Sequence, residues 1–317
     1  PHPEFATSAD LVTPGEYSFS VSVEKPARSG NVLETFRHSG LASAAAAHHS
    51  RSTERGAGIS AAFFDVDNTI MRGASLFHFA AGLAKLKYFS GRDIFGFGIK
   101  QLKFVLSGSE NLEDVASATE AALAFVQGRS VEELTRLSEI VFDQRMVDKL
   151  IPGTLALAQQ HIDAGEDVWL VTATPVELAD LIARRLGLTG ALGTVSKTEN
   201  GIYTGKLDGY PLHGLAKAEA VRALASSEHY DLSACYAYSD SANDIPMLSI
   251  VGFANAVNPD PDLRTYAKKM DWEVSDFRKR AQLRENALPV ATTAGGIALG
   301  LTAGYALGRI ARGLKNT

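Results

Sequence analysis

Short, nearly unbroken apolar runs alternate along this chain with stretches of helical period. Ile59–Phe64 is apolar apart from Ser60, the pattern of a strand buried on both faces of a parallel sheet. Asp167–Val171 (Asp-Val-Trp-Leu-Val) and 234–238 (Ala-Cys-Tyr-Ala-Tyr) repeat it, and a last short strand is expected near Val251–Ala254. Between these runs the sequence predicts helices. One is opened by Pro152-Gly153 and runs to Ile162, one carries Pro175 in its first turn, and one covers 214–226. Asn200-Gly201 lies between β-prone runs in 194–209, the signature of a hairpin. Strands alternating with helices imply an α/β fold built on a doubly wound parallel sheet.

Two blocks interrupt the alternation. Residues 75–148 show few strand signals, while Leu76, Phe77, Phe79, Ala80, Leu83 and Leu86, and later Leu123, Phe125 and Val126, keep a helical period. A helical insertion above the first strand end is expected there. Residues 1–57 are rich in Ser, Ala, Gly, His and Arg without a sustained period. They read as a mostly disordered extension with a short helix around Leu41–Ala47 and a solvated His48-His49 pair. The expected division is therefore an extension over 1–57, a catalytic core formed by 58–74 and 149–282, and a helical insertion over 75–148. A Gly/Ala-rich helix over 286–310 completes it.

That last segment runs from Asn286 to Gly308 without a charged residue and carries Gly296, Gly300, Gly304 and Gly308 on one helical face. Arg278, Lys279, Arg280 and Arg284 precede it, and Arg309, Arg312 and Lys315 follow. Its length and its small-residue stripe suit membrane contact or self-association. Its weak hydrophobicity equally suits a helix docked on protein.

The 317 residues are 45% hydrophobic, ample for a packed core, and their formal net charge is −5. With no basic stripe interleaved with aromatics, nucleic acid is not an expected partner. Cys235 is the sole cysteine, which excludes an intrachain disulfide framework and a cysteine-based zinc site. No apolar signal-peptide core lies near the N-terminus, so a cytoplasmic catalytic part is expected.

Candidate chemistry sits at the ends of the apolar runs. Asp65 and Asp67 leave the first strand together, at the edge where open α/β sheets bind ligands. Two like charges this close need a cation or a shared proton. A hard cation such as Mg²⁺ binds one or two carboxylates together with substrate phosphate. Taken alone, the pair also reads as a strand ending in a turn. Thr172 follows the second strand, Lys217 opens a helix in His-Gly-Leu-Ala-Lys, and Asp240 and Asp244 follow the strand at 234–238. In a doubly wound sheet these ends converge on one crevice. Each alone is a common cap or surface residue. Together they supply a carboxylate to attack phosphorus, a second to move protons, and a hydroxyl and an ammonium to hold the phosphate.

In this order the residues resemble the haloacid dehalogenase superfamily, in its phosphoserine-phosphatase-like branch, over roughly 59–275. Asp65–Thr69 matches the family's Asp-x-Asp-x-Thr motif, Thr172 its second-motif hydroxyl, Lys217 its lysine, and Asp240 and Asp244 its acidic motif. The helical insertion matches the family's cap. The resemblance implies a Rossmann-like core and a Mg²⁺-dependent phosphomonoester hydrolase with Asp65 as nucleophile and Asp67 as acid/base. It implies Mg²⁺ held by the Asp65 carboxylate, the Asp67 backbone carbonyl and Asp240, with Asp244 in support. Asn243 would help hold phosphate or metal-bound water.

One departure bears on the substrate. Phosphoserine phosphatases carry a glutamate shortly after the first motif, whereas Met71-Arg72-Gly73-Ala74-Ser75 holds no acid. Arg72 there suits an anionic substrate better than an ammonium. A phosphorylated small molecule is the expected partner, with a lysophospholipid phosphate included if the 286–310 segment meets a membrane. Phe77, Phe79, Phe95, Phe97 and Phe104 would then line an acyl path or, more simply, fill the cap core. The alternatives are a soluble small-metabolite phosphatase such as a phosphoserine phosphatase and, more remotely, a non-catalytic tethered binding protein.

Overall fold

The structure is a computed structural model that describes residues 32–50, 59–88 and 126–277. Six parallel strands form its centre: β1 (Ala61–Phe64), β2 (Asp167–Pro175), β3 (Gly190–Thr194), β6 (Tyr236–Ser239), β7 (Phe253–Val257) and β8 (Glu273–Ser275). Their order is β3-β2-β1-β6-β7-β8. All four side chains of β1 are buried, as an all-apolar central strand requires. Because β1 pairs with β2 on one side and β6 on the other, the strand order reverses beside it. The crevice at the carboxyl ends of β1 and β6 is the switch point at which such sheets bind ligands.

The helices among the described residues are α1 (Val32–Ser50), α2 (Ser75–Lys85), α3 (Val131–Val141), α4 (Pro152–Asp163), α5 (Val176–Arg185), α6 (Leu215–Glu228), the single turn α7 (Ile245–Leu248) and α8 (Pro261–Lys269). Two apolar clusters, one on each face of the sheet, hold the layers together. The antiparallel pair β4 (Ser196–Glu199) and β5 (Ile202–Leu207) turns at Asn200 and Gly201 with φ of 51° and 75°. Two consecutive left-handed residues are what a two-residue hairpin of this twist demands.

Several boundaries move. The second strand runs on through Thr172 to Pro175, so that proline closes the strand and caps α5 instead of sitting inside its first turn. The third apolar run pairs from Tyr236 and the last from Phe253. Strand β3 gave no apolar-run signal because Gly190 and Gly193 interrupt it. Both glycines are needed for packing: a Cβ on Gly190 would lie 2.6 Å from the Trp169 ring, and one on Gly193 2.6 Å from Val176 Cα.

The helix expected around Leu41–Ala47 is present but longer: Val32–Ser50 form α1 and pack against α6, which corrects the expectation of a mostly disordered extension over those residues. The buried face consists of Ser39, Gly40, Ser43, Ala44 and Ala47, small residues that create no hydrophobic period yet let backbones approach closely. A Cβ on Gly40 would lie 2.7 Å from the backbone of Ala220 and Glu219. Gly40→Val should therefore lower stability by about 1–3 kcal/mol, the usual cost of overpacking. A lower urea midpoint and faster tryptic cleavage at the exposed Arg37 are the expected readouts; an unchanged midpoint would mean that α1 is not docked.

At the described ends of 75–148 the chain is helical. Helices α2 and α3 touch through Gly82, where a Cβ would lie 2.3 Å from Val141, and Phe79 and Leu83 join Phe64, Ile70 and Met71 in one cluster. Phe77 is 56% exposed and does not fill that core. Phe95, Phe97, Phe104, Leu123, Phe125 and the 286–310 segment lie outside the described residues. No helix among the described residues is long and apolar enough to cross a membrane.

Candidate active site

Asp65 is the first residue past β1. Its backbone N–H donates to the Tyr238 carbonyl at 2.9 Å, which ties the start of the loop to β6. The loop then folds back, with Ile70 and Met71 both donating to the Val66 carbonyl. Asn68 takes the left-handed region at φ 59°, and its side chain accepts from Gly73 N–H. The turn chemistry of Asp and Asn thus positions the acids without competing with them.

Lys217 enters from the first turn of α6, which Gly214 opens with φ 55°. A cation at a helix N-terminus opposes the helix dipole. Two carboxylates offset that here: Lys217 Nζ donates to Asp65 Oδ1 at 2.6 Å and to Asp244 Oδ2 at 2.7 Å, with all three side chains buried. Ser239 Oγ donates to the same Asp244 oxygen at 2.7 Å. Asp240 is half-buried at the end of β6. Asn243 lies in the same turn and donates to Ser241 Oγ.

Asp67 is held from the insertion side. Ser75 N–H, at the start of α2, donates to its Oδ1 at 2.8 Å. Ser75 Oγ shares a 2.5 Å hydrogen bond with Thr174 Oγ1, and Thr172 Oγ1 donates to that same Thr174 oxygen at 3.1 Å. A buried hydroxyl chain therefore links Asp67 to Thr172. Sequence reasoning did not single out Ser75, Thr174, Ser239 or His78. Thr174 was visible in Val-Thr-Ala-Thr-Pro, but a hydroxyl beside a strand end is ordinarily a cap.

Arg72 is exposed, and its guanidinium takes no part in this network. Its backbone does: the N–H donates to the Lys149 carbonyl at 2.8 Å, and its own carbonyl is 2.8 Å from His78 Nε2. Ala74, also exposed, occupies the N-cap of α2.

The electrostatics are those of crowded acids. Burial lifts the Asp65 carboxyl to about 7. Lys217 pulls it down, while Asp244 and Asp67 push it up again. Burial, followed by the charges of Asp65 and Asp244, lifts Asp240 to about 8. Asp67 is also raised by burial, against the bonds from Ser75. Lys217 is raised because Asp244 and Asp65 together outweigh its desolvation. Four acids thus share one ammonium. Among the described residues no three acidic, His or Cys side chains are already arranged as a metal cage. The donors are nevertheless all oxygens with surplus negative charge, the set that suits Mg²⁺.

The haloacid dehalogenase-like hydrolase family profile matches residues 62–249, the span that carries every strand-end residue described above. The chain belongs to that family. It is 54% identical over 235 residues to phosphoserine phosphatase SerB1 of Mycobacterium tuberculosis, covering 74% of this chain and 76% of that one. To the inhibition of morphological differentiation protein of Streptomyces azureus it is 35% identical over 229 residues, covering 71% and 81%. Among solved structures, a Bordetella pertussis Tohama I protein of unknown function superposes with a TM-score of 0.62 at 28% identity, covering 71% of this chain and 100% of that one. As a haloacid dehalogenase-like hydrolase with the six-stranded parallel sheet of the family, the protein is a hydrolytic enzyme.

Proposed function

We propose that this hydrolase is a Mg²⁺-dependent phosphomonoesterase that works through an aspartyl-phosphate on Asp65. The observation that carries the proposal is the buried Asp65–Lys217–Asp244 triad at the β1/β6 switch point, with Asp67 two residues from the nucleophile. An Asp65 oxygen attacks phosphorus as the bond to the leaving oxygen breaks, and Asp67 gives that oxygen its proton. Asp67, now a carboxylate, takes a proton from water; the water oxygen attacks phosphorus and the bond to Asp65 breaks. Lys217 and Thr172 hold the non-bridging oxygens, and Asn243 assists. Asp65, the Asp67 backbone carbonyl and Asp240, with Asp244 in support, would hold Mg²⁺, which when bound supplies charge neutralisation between phosphate and nucleophile. Residues 75–148 act as the cap over this site, shielding it from bulk solvent during the attack of Asp65 and leaving room for the single water that Asp67 activates.

The relative named phosphoserine phosphatase supports a phosphorylated small molecule as substrate. The acid-free Met71–Ser75 stretch and Arg72 favour a substrate with an anionic group over one read through its ammonium. A lysophospholipid phosphate rests on the composition of 286–310 alone and is the weaker reading. Phosphate release from p-nitrophenyl phosphate by the full chain tests the proposal: Mg²⁺-dependent turnover is expected, and no release at any Mg²⁺ concentration would overturn it.

Two further results are expected. In the folded chain Asp65 and Asp240 keep protons up to about 7 and 8. Unfolded, both would lose them near 3.8. The folded state therefore binds more protons across that window, and metal-free stability should fall as pH rises from about 4 toward 8. Because Mg²⁺ needs these acids ionised, it should raise the melting temperature more at about pH 8 than at about pH 5.5. A shift independent of pH would mean that these acids do not bind it. Ser75→Ala keeps the backbone N–H to Asp67 but removes the hydroxyl that also bonds it. It should lower kcat about tenfold on alkyl phosphates, which need the proton from Asp67, and much less on p-nitrophenyl phosphate, whose leaving group does not. Equal losses on both would remove Ser75 as the residue that positions Asp67.

A further inference from the structure

Between α2 and the turns that follow α3 lies a second feature that the reaction does not use. It is a cavity of about 280 Å³ lined by His78, Lys85, Gln144, Arg145, Asp148 and Lys149. Lys85, Arg145 and Lys149 form no ion pair among the described residues, so three cations face one small volume against the single acid Asp148. Such an arrangement is self-repulsive until an anion enters it.

Its backbone is unusual as well. Phe142–Met146 forms a π-helical turn, a rare conformation that tends to persist where it serves a site. Arg185 clamps the turn through a two-pronged pair with Asp143 at 2.9 and 3.1 Å, and Gln144 and Arg145 follow in the cavity wall.

The cavity is joined to the acid cluster by three connections. His78 lines it, lies within Coulombic reach of Asp67, and is bonded to the Arg72 carbonyl. Lys149 accepts from Arg72 N–H, and Met71 bridges to Leu150. The wall of the cavity and the loop carrying Asp67 are thus one hydrogen-bonded piece. A volume of this size is below that of ordinary ligand pockets, but it admits one charged group at the far end of a molecule.

We propose that this basic cavity is a specificity subsite that takes a second anionic group, a carboxylate or a second phosphate, of the phosphomonoester held at Asp65. The proposal rests on the phosphatase reading above and narrows it to substrates with two separated negative groups. Lys85 and Arg145 supply the recognition, Lys149 adds charge, and Gln144 adds a neutral donor. An Arg offers a two-pronged contact to either anion.

A matched pair of probes tests it: 3-phosphoglycerate and glycerol 3-phosphate, which differ in having a carboxylate or a hydroxymethyl group at the far end. The full chain with Mg²⁺ should prefer 3-phosphoglycerate by about tenfold in kcat/KM, the equivalent of one charge-assisted contact. In Lys85→Gln/Arg145→Gln that ratio should fall toward one, mainly through KM. A wild-type ratio near one, or a variant that loses both substrates in proportion, overturns the subsite. So does an unchanged ratio together with a new sensitivity to free citrate, which would make the cavity a separate effector site. Failure of the phosphatase reading looks different, because then no phosphate is released even from p-nitrophenyl phosphate. Calorimetric binding of the two probes still decides the subsite in that event: tighter binding of 3-phosphoglycerate that is lost in the double variant supports it, and equal binding overturns it.

Discussion

Asp65→Asn lowers phosphate release by about 10⁴-fold or more while leaving the fold intact. The magnitude is that of removing a covalent nucleophile whose partners stay in place. An amide has no anionic oxygen to form the acyl phosphate, yet it fills the same volume and still accepts from Lys217. Asp65 sits buried among Asp244, Asp67 and Asp240, so losing its charge relieves repulsion as well as a salt bridge. The net stability change should lie within about 1 kcal/mol, since the lost ion pair and the relieved burial oppose each other. Metal-free Asp65→Asn should also lose the part of the stability decline that Asp65 contributes between about pH 4 and pH 7. The measurements are turnover under saturating Mg²⁺ and urea midpoints at several pH values. Turnover within tenfold of wild type would remove Asp65 as nucleophile.

Lys217→Met has a different signature, because it should damage both stability and turnover. Removing the ammonium strands Asp65 and Asp244 in a buried site, and breaking one partner of a buried pair costs about 3–5 kcal/mol. Protonation of Asp65 limits the damage in acid. The destabilisation should therefore grow as pH rises through about 7, where Asp65 ionises in the intact site. Adding Asp65→Asn to Lys217→Met should recover part of the loss, since the double variant no longer buries two uncompensated acids. A loss independent of pH, or with no recovery in the double variant, would mean that Lys217 acts through packing alone. Turnover should fall with stability corrected for, because no other described side chain brings an ammonium to Asp65 and Asp244.

Much of this arrangement was legible in the order of residues. Buried parallel strands are short apolar runs, and Asp65, Asp240 and Asp244 follow such runs directly, so the crevice that gathers them could be read from alternation alone. Lys217 was legible only in company, because a lysine on a helix is ordinarily solvated; its burial depends on long-range contacts with Asp65 and Asp244. The hydroxyl chain through Ser75 and Thr174 left no pattern, since Ser and Thr cap strands and helices throughout proteins. Only the Leu41–Ala47 part of α1 was legible; its full length and its docking were not, because its buried face is Ser, Gly and Ala, which fit tightly against α6 without producing an amphipathic period. The basic cavity was illegible for another reason. Lys85 and Arg145 lie far apart in the chain, and only the π turn and the contact of α2 with it bring them to one volume.

The central claim is that Asp65 carries the phosphoryl group between two half-reactions. Rapid acid quenching of the full chain during turnover of a ³²P-labelled phosphomonoester, followed by peptide mapping, tests it most directly. The account predicts acid-stable, base-labile label on the peptide containing Asp65, absent from Asp65→Asn. Steady phosphate release with no labelled peptide, or with label on another residue, would contradict it.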